Sequence, residues 1–140
     1  MINDNLQLTG ALTISLNDVV VQKTNNLVVT AGKNWVADRM NNANTVMTHM
    51  ALGTSSTVAA VGDTTLTAEL DRNTLTSTTV STNTIAYSCT WAAGDGTGAI
   101  TEAGIFDAAT AGDMLARTVF SVVNKGASDS ITITWTITIS

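Results

Sequence analysis

Cysteine occurs once in the 140-residue chain, at Cys89. That excludes an internal disulfide, and its place within the apolar alternation from Ala86 to Trp91 predicts a buried core thiol rather than a reactive one. Proline is absent, and charged residues make up 12% of the chain, against roughly 25% in an average soluble domain. A surface this poor in charge is less protected from association than usual, so part of it is expected to be covered by a partner. What charge there is leans acidic, with eleven acidic residues against six basic ones and a net charge of −5. The basic residues Lys23, Lys33, Arg39, Arg72, Arg117 and Lys125 are scattered, which argues against direct nucleic-acid binding. Aromatic residues amount to 4%, too few to line a sugar cleft after the core has taken its share. No run approaches the ~18 consecutive apolar residues of a membrane span. Met1 to Gly10 carries Asp4 and no basic residue ahead of an apolar run, unlike a secretory signal. The expectation is a soluble protein, without membrane contact, made in a reducing compartment.

What is abundant is β-sheet patterning. In the last stretch Ile131, Ile133, Trp135, Ile137 and Ile139 alternate with Thr132, Thr134, Thr136 and Thr138, the two-residue period of a half-buried strand. The 44% of hydrophobic residues suffice for one core, so residues 1–140 read as a single domain. Upstream, Leu12 to Leu16, a turn at Asn17-Asp18 and Val19 to Gln22 read as a hairpin, and Leu27 to Thr30 as a short strand. From Gly32 to Asn41 the spacing is nearer to helical, with Trp35, Val36 and Met40 on one side, positioned to plug one end of a sandwich or to lie across a sheet. Val46 to Leu52 reads as a strand stopping at Gly53, Thr54 to Asp63 as a surface loop, and Thr65 to Leu70 as one helical turn. Four further strands are expected over residues 73–81, 84–91, 99–106 and 114–123, separated by turns rich in Gly, Asn and Asp. Many short strands with one helix and no βαβ alternation predict an all-β protein, an antiparallel, jelly-roll-like β-sandwich of roughly eight strands. Its core is expected to include Leu12, Ile14, Leu16, Trp35, Trp91, Phe120, Ile133, Trp135, Ile137 and the other odd-numbered residues from Ile131 to Ile139.

Signals for chemistry are weak. Gly94, Gly96 and Gly98 superficially match a phosphate-cradling loop, but such a loop opens a helix, and here a strand pattern follows. Asp95 lacks the neighbouring ligands of a calcium loop. His49 is the only imidazole, and with one distant cysteine it offers no zinc set. Asp95, Glu102, Asp107 and Asp113 surround neighbouring loops, and spacing alone leaves a glycosidase-type carboxylate pair open. A non-enzymatic protein without metal or cofactor is the expectation. Glu102 stands in an otherwise apolar strand, where an unpartnered buried carboxylate is too costly to keep ionised. It is therefore expected to pair with Arg72 or Arg117 beneath a loop.

The segment Ile100-Thr101-Glu102-Ala103-Gly104-Ile105-Phe106-Asp107 is followed by Gly112-Asp113-Met114-Leu115-Ala116-Arg117, by Lys125 and by the alternating last strand. This succession resembles a pattern of tailed-bacteriophage structural proteins, in which an ITE-x-G-[IL]-F-D strand, a return strand and a terminal strand recur. Leu27 to Lys33 and Ala51 to Thr54, continuing through Thr64, Leu66, Glu69, Leu70 and Arg72, look similar to the same group. The resemblance runs from about Leu12 to the end and is shared by tail-fibre domains and small virion proteins. It implies a virion component. A chain of this size lacks room for a fibre's shaft and tip, so the resemblance implies a capsid decoration (cement) protein on the outer surface of the virion, made in the host bacterial cytoplasm. Its partner would be the major capsid protein, and its form a homo-oligomer, with a trimer matching the threefold sites of an icosahedral shell. The alternative is a tail or tail-fibre attachment subunit contacting tail proteins.

Overall fold

Over residues 5–41 and 45–140, which the computed structural model of the protein describes, the chain forms ten strands and one helix. The strands are β1 (Leu8–Leu16), β2 (Val19–Asn25), β3 (Leu27–Val28), β4 (His49–Gly53), β5 (Glu69–Thr74), β6 (Ser77–Ser81), β7 (Thr84–Trp91), β8 (Gly98–Phe106), β9 (Met114–Lys125) and β10 (Ile131–Ile139), with helix α1 (Thr30–Met40) between β3 and β4. They build two five-stranded antiparallel sheets, β2-β1-β10-β7-β6 and β3-β9-β8-β4-β5. The all-β sandwich expected from the period-two pattern is the architecture found, with ten strands in place of roughly eight.

The alternating strand β10 lies at the centre of the first sheet. Trp135 stands opposite Leu12 on β1 and Tyr87 on β7, Ile133 opposite Ile14 and Cys89, and Ile131 opposite Trp91. All of these are buried and form one cluster between the sheets with Ile100, Ile105, Phe120 and Ile137. The threonines of β10 face outward, against Thr90, Ser88, Ala86 and Thr84 of β7 on one side and Ser15, Thr13, Ala11 and Thr9 of β1 on the other. Two expected core residues lie at its margin: Leu16 is half-buried, and Ile139, 42% exposed, overhangs the end of the sandwich.

Both long sides of the sandwich are closed by a chain that changes sheet, which a reading of periodicity cannot see. At Asn26 the chain passes from β2 in the first sheet to β3 in the second, and the Asn26 carboxamide accepts a bond from Trp135 Nε1 at 3.0 Å. Gly10 leaves the space for that side chain, since a Cβ there would lie 1.6 Å from Asn26 Oδ1. On the opposite side the single strand expected over 73–81 is two strands. Leu75 N bonds to Thr48 O beside the second sheet, and the next amide, Thr76 N, bonds to Ser88 O of the first.

Helix α1 begins at Thr30, two residues earlier than expected, and packs on β9, where Gly32 is buried against the Leu115 carbonyl. Trp35 is a correction to the expected core: it is half-buried, packs on the rim of the core and donates from Nε1 to Thr45 O at 2.9 Å. Met40, expected on the buried side, is 84% exposed. The helical turn expected over residues 65–70 does not form, because the amides of Thr67 and Ala68 bond to the Glu102 carboxylate instead. The strand expected from Val46 starts at His49.

Candidate functional site

The second sheet covers its outer face with a loop. Residues 54–68 leave the end of β4 and return to the start of β5, and the two ends are tied by Thr54 N to Ala68 O at 3.0 Å. A compact loop with joined ends is an Ω-loop, a form that frequently carries function. Underneath lie Glu102 of β8 and Arg117 of β9, neither with any exposed surface.

Arg117 Nε and Nη2 donate to Glu102 Oε2 at 3.0 and 2.8 Å. The carboxylate also accepts from the loop's main chain, at Oε1 from Ala68 N (2.7 Å) and Ser55 N (3.4 Å) and at Oε2 from Thr67 N (3.1 Å). Arg117 spends its remaining donors on the same loop, with Nη1 on Asp63 Oδ2 at 2.9 Å and Nη2 on Thr57 O at 2.9 Å and Thr67 Oγ1 at 3.1 Å. Thr101 Oγ1 adds a bond to Ser55 O at 2.8 Å, and Thr30 N ties the loop to α1 through Val61 O. An ion pair stripped of water is tolerable when its remaining donors and acceptors are filled in this way. Leu66 pins the far side of the loop into a small apolar cluster with Val29, Ala51, Phe106 and Met114.

The result is a rigid base with an apolar tip, on which Val58 is 82% exposed and Val61 also faces solvent. Both oxygens of the Glu102 carboxylate accept hydrogen bonds, and none of its surface is open to solvent. Its partner is Arg117 and not Arg72. Arg72 makes a bidentate pair with Glu69, at 2.6 and 3.1 Å, lies 3.7 Å from the Phe106 ring centroid and donates to the carbonyls of Ala108 and Ala111. It sits on the edge strand β5, separated from β8 by β4, where Glu69, three residues earlier, pairs with it.

The other acidic positions do not converge on Glu102. Asp107 Oδ1 caps its own turn by accepting from Asp113 N at 2.7 Å, and Asp95 lies in the loop of Gly94 and Gly96, both at positive φ, which leads into β8. His49 bonds Thr48 Oγ1 through Nδ1 at 2.7 Å, and no group of three or more potential metal ligands occurs among the described residues. Cys89 is buried, and burial raises its thiol pKa to about 12. Trp91, Phe120, Ile133, Trp135 and Ile137 are all in the core.

The sequence reading missed Asp63, Thr57 and Thr67 as members of the site. Two glycines make room for the site, although they do not mark those three residues. A Cβ at Gly53 would meet Glu102 Oε1 at 2.4 Å, and one at Gly104 would meet Leu66 Cδ2 at 2.9 Å. Comparison with family models, curated proteins and solved structures returns no match.

Proposed function

We propose that this chain is a non-enzymatic structural protein of a tailed-bacteriophage virion, a decoration protein that binds the outside of the capsid and stabilises it against the pressure of packaged DNA. The observation that carries the reading is the role of the motif behind the resemblance. Glu102, at its centre, holds the Ω-loop with Arg117, Thr101 bonds Ser55, and Gly104 and Phe106 receive Leu66. A motif spent on holding an apolar loop rigid suits a protein whose task is to dock on a preformed surface, because pre-ordering removes the cost of immobilising the loop on binding.

The remaining surface is consistent with that task, since the outer face of the first sheet is a field of threonine, serine and alanine. The partner in this reading is the major capsid protein, and a homotrimer matches the threefold positions of the shell. Many copies of a modest contact then hold by avidity, and no cofactor is required.

Counting copies per purified particle by quantitative mass spectrometry tests the proposal. Hundreds of copies, in proportion to the shell's local symmetry axes, support decoration. A count of about a dozen or fewer, the number a tail's own rotational symmetry provides, places the chain at the tail and overturns it in favour of an attachment subunit.

A further inference from the structure

Each sheet ends in two edge strands, and an open edge is a template for pairing with another chain. Among the described residues, three of the four edges are shielded. β3 is two residues long. β5 carries Glu69, Asp71 and Arg72 and shifts register against β4 at Leu52/Gly53. β2 carries Lys23 and is bulged at Val21, and its Gln22 carboxamide bonds both main-chain groups of Ser121, each at 2.9 Å, which draws that edge towards β9.

The fourth edge, β6, has none of these devices. Its five residues run in unbroken register with β7, from Ser77 opposite Ser88 to Ser81 opposite Thr84, and every one is exposed. No residue from Asn73 to Gly94 carries a charge. A second observation falls at the same place. Val80, 69% exposed, overhangs an apolar groove of about 430 Å³ that Trp35, Met40, Tyr87, Ile137 and Ile139 also line.

We propose that β6 pairs antiparallel with β6 of a second copy about a twofold axis through Thr79, joining two five-stranded sheets into one and covering the groove of each copy. In this register Ser77 faces Ser81, Thr78 faces Val80 and Thr79 faces Thr79. The strand is its own complement, with similar β-branched residues opposite one another. This self-complementarity selects a second copy as the occupant, and the absence of charge on the hairpin permits its approach. Two molecules of net charge −5 repel one another, and this hairpin is the uncharged stretch through which they can approach. The pairing is isologous, so it closes at two copies and consumes the open edge instead of propagating a fibre. The contact does not depend on the virion reading. Neighbouring threefold sites of an icosahedral shell are related by twofold axes, so the same contact can link adjacent decoration units.

Sedimentation equilibrium from micromolar to millimolar protein tests the contact. The wild type is expected to double its mass with concentration. Thr79 is exposed and opposite Ala86, so Thr79→Lys and Thr79→Glu keep the fold, checked by circular dichroism. Each alone opposes like charges across the axis and weakens association by up to about fivefold; an equimolar mixture of the two restores it. Hydrogen exchange on the wild type supplies a second arm, with β6 amides protected at high concentration and open when dilute. A wild type that stays monomeric at millimolar concentration, a Thr79→Lys variant that associates as the wild type does, a mixture that stays apart, or β6 exchange independent of concentration overturns the proposal. A trimer that survives Thr79→Lys with no further association overturns the β6 contact and leaves the shell reading standing.

Discussion

Glu102 and Arg117 are not cross-strand partners: Arg117 stands opposite Gly104, and Glu102 opposite Val119. The ion pair is therefore diagonal, and Gly104, with no side chain, keeps the position beside it free for Leu66 of the loop. One glycine thus admits the loop's apolar anchor beside the ion pair.

Glu102→Gln follows directly from this geometry. It removes the buried counter-charge of the Arg117 guanidinium and leaves only the partly exposed Asp63 carboxylate, and breaking one side of a buried pair costs up to about 3–5 kcal/mol. The midpoint of chemical denaturation should fall accordingly, and limited proteolysis should cut first within residues 54–68. An unchanged midpoint contradicts the role given to Glu102.

The two faces of β10 make a sharper pair. Trp135→Ala removes a buried indole and its bond to Asn26, with an expected loss of about 3–5 kcal/mol. Thr134→Ala, on the outer face, is expected to stay within about 0.5 kcal/mol, the usual range for a surface substitution. Equal losses would mean that the core lies on the other side of the strand.

His49 gives the fold a pH dependence. Burial first, and the nearby Arg72 guanidinium second, lower its pKa below the ordinary 6.5. A depressed pKa means that the unfolded chain takes up the proton more readily. The imidazole's contribution to stability is therefore complete above pH 6.5 and is lost as the pH falls towards the lower folded value. Denaturation midpoints for wild type and His49→Gln should run parallel above pH 6.5 and converge on acidification before the carboxylates titrate. A slope in that window that survives His49→Gln assigns it to another group.

The residues with the strictest alternation were the most legible. β7 and the odd positions of β10 from Ile131 to Ile137 lie where their period places them, because each strand has one wet face and one dry face. Periodicity says nothing of which sheet an extended segment joins, so the changes of sheet at Asn26 and at Leu75-Thr76 were invisible. The Thr65–Leu70 helical turn failed for a different reason, since Leu66 packs beneath the loop while the Glu102 carboxylate takes the backbone donors of Thr67 and Ala68. Of the site, Glu102 was readable as a charge that needs a partner. Asp63 and the carbonyl of Thr57 were not, because they reach Arg117 from 54 and 60 residues away in sequence.

The claim that the loop held by Glu102 and Arg117 is the docking element is tested most directly by placing a photoactivatable residue at Val58 and irradiating purified particles. The account predicts an adduct between this chain and the major capsid protein, lost when Glu102→Gln is added. An adduct confined to tail proteins, or none from position 58 alongside a strong one from Thr134 on the opposite sheet, would contradict it.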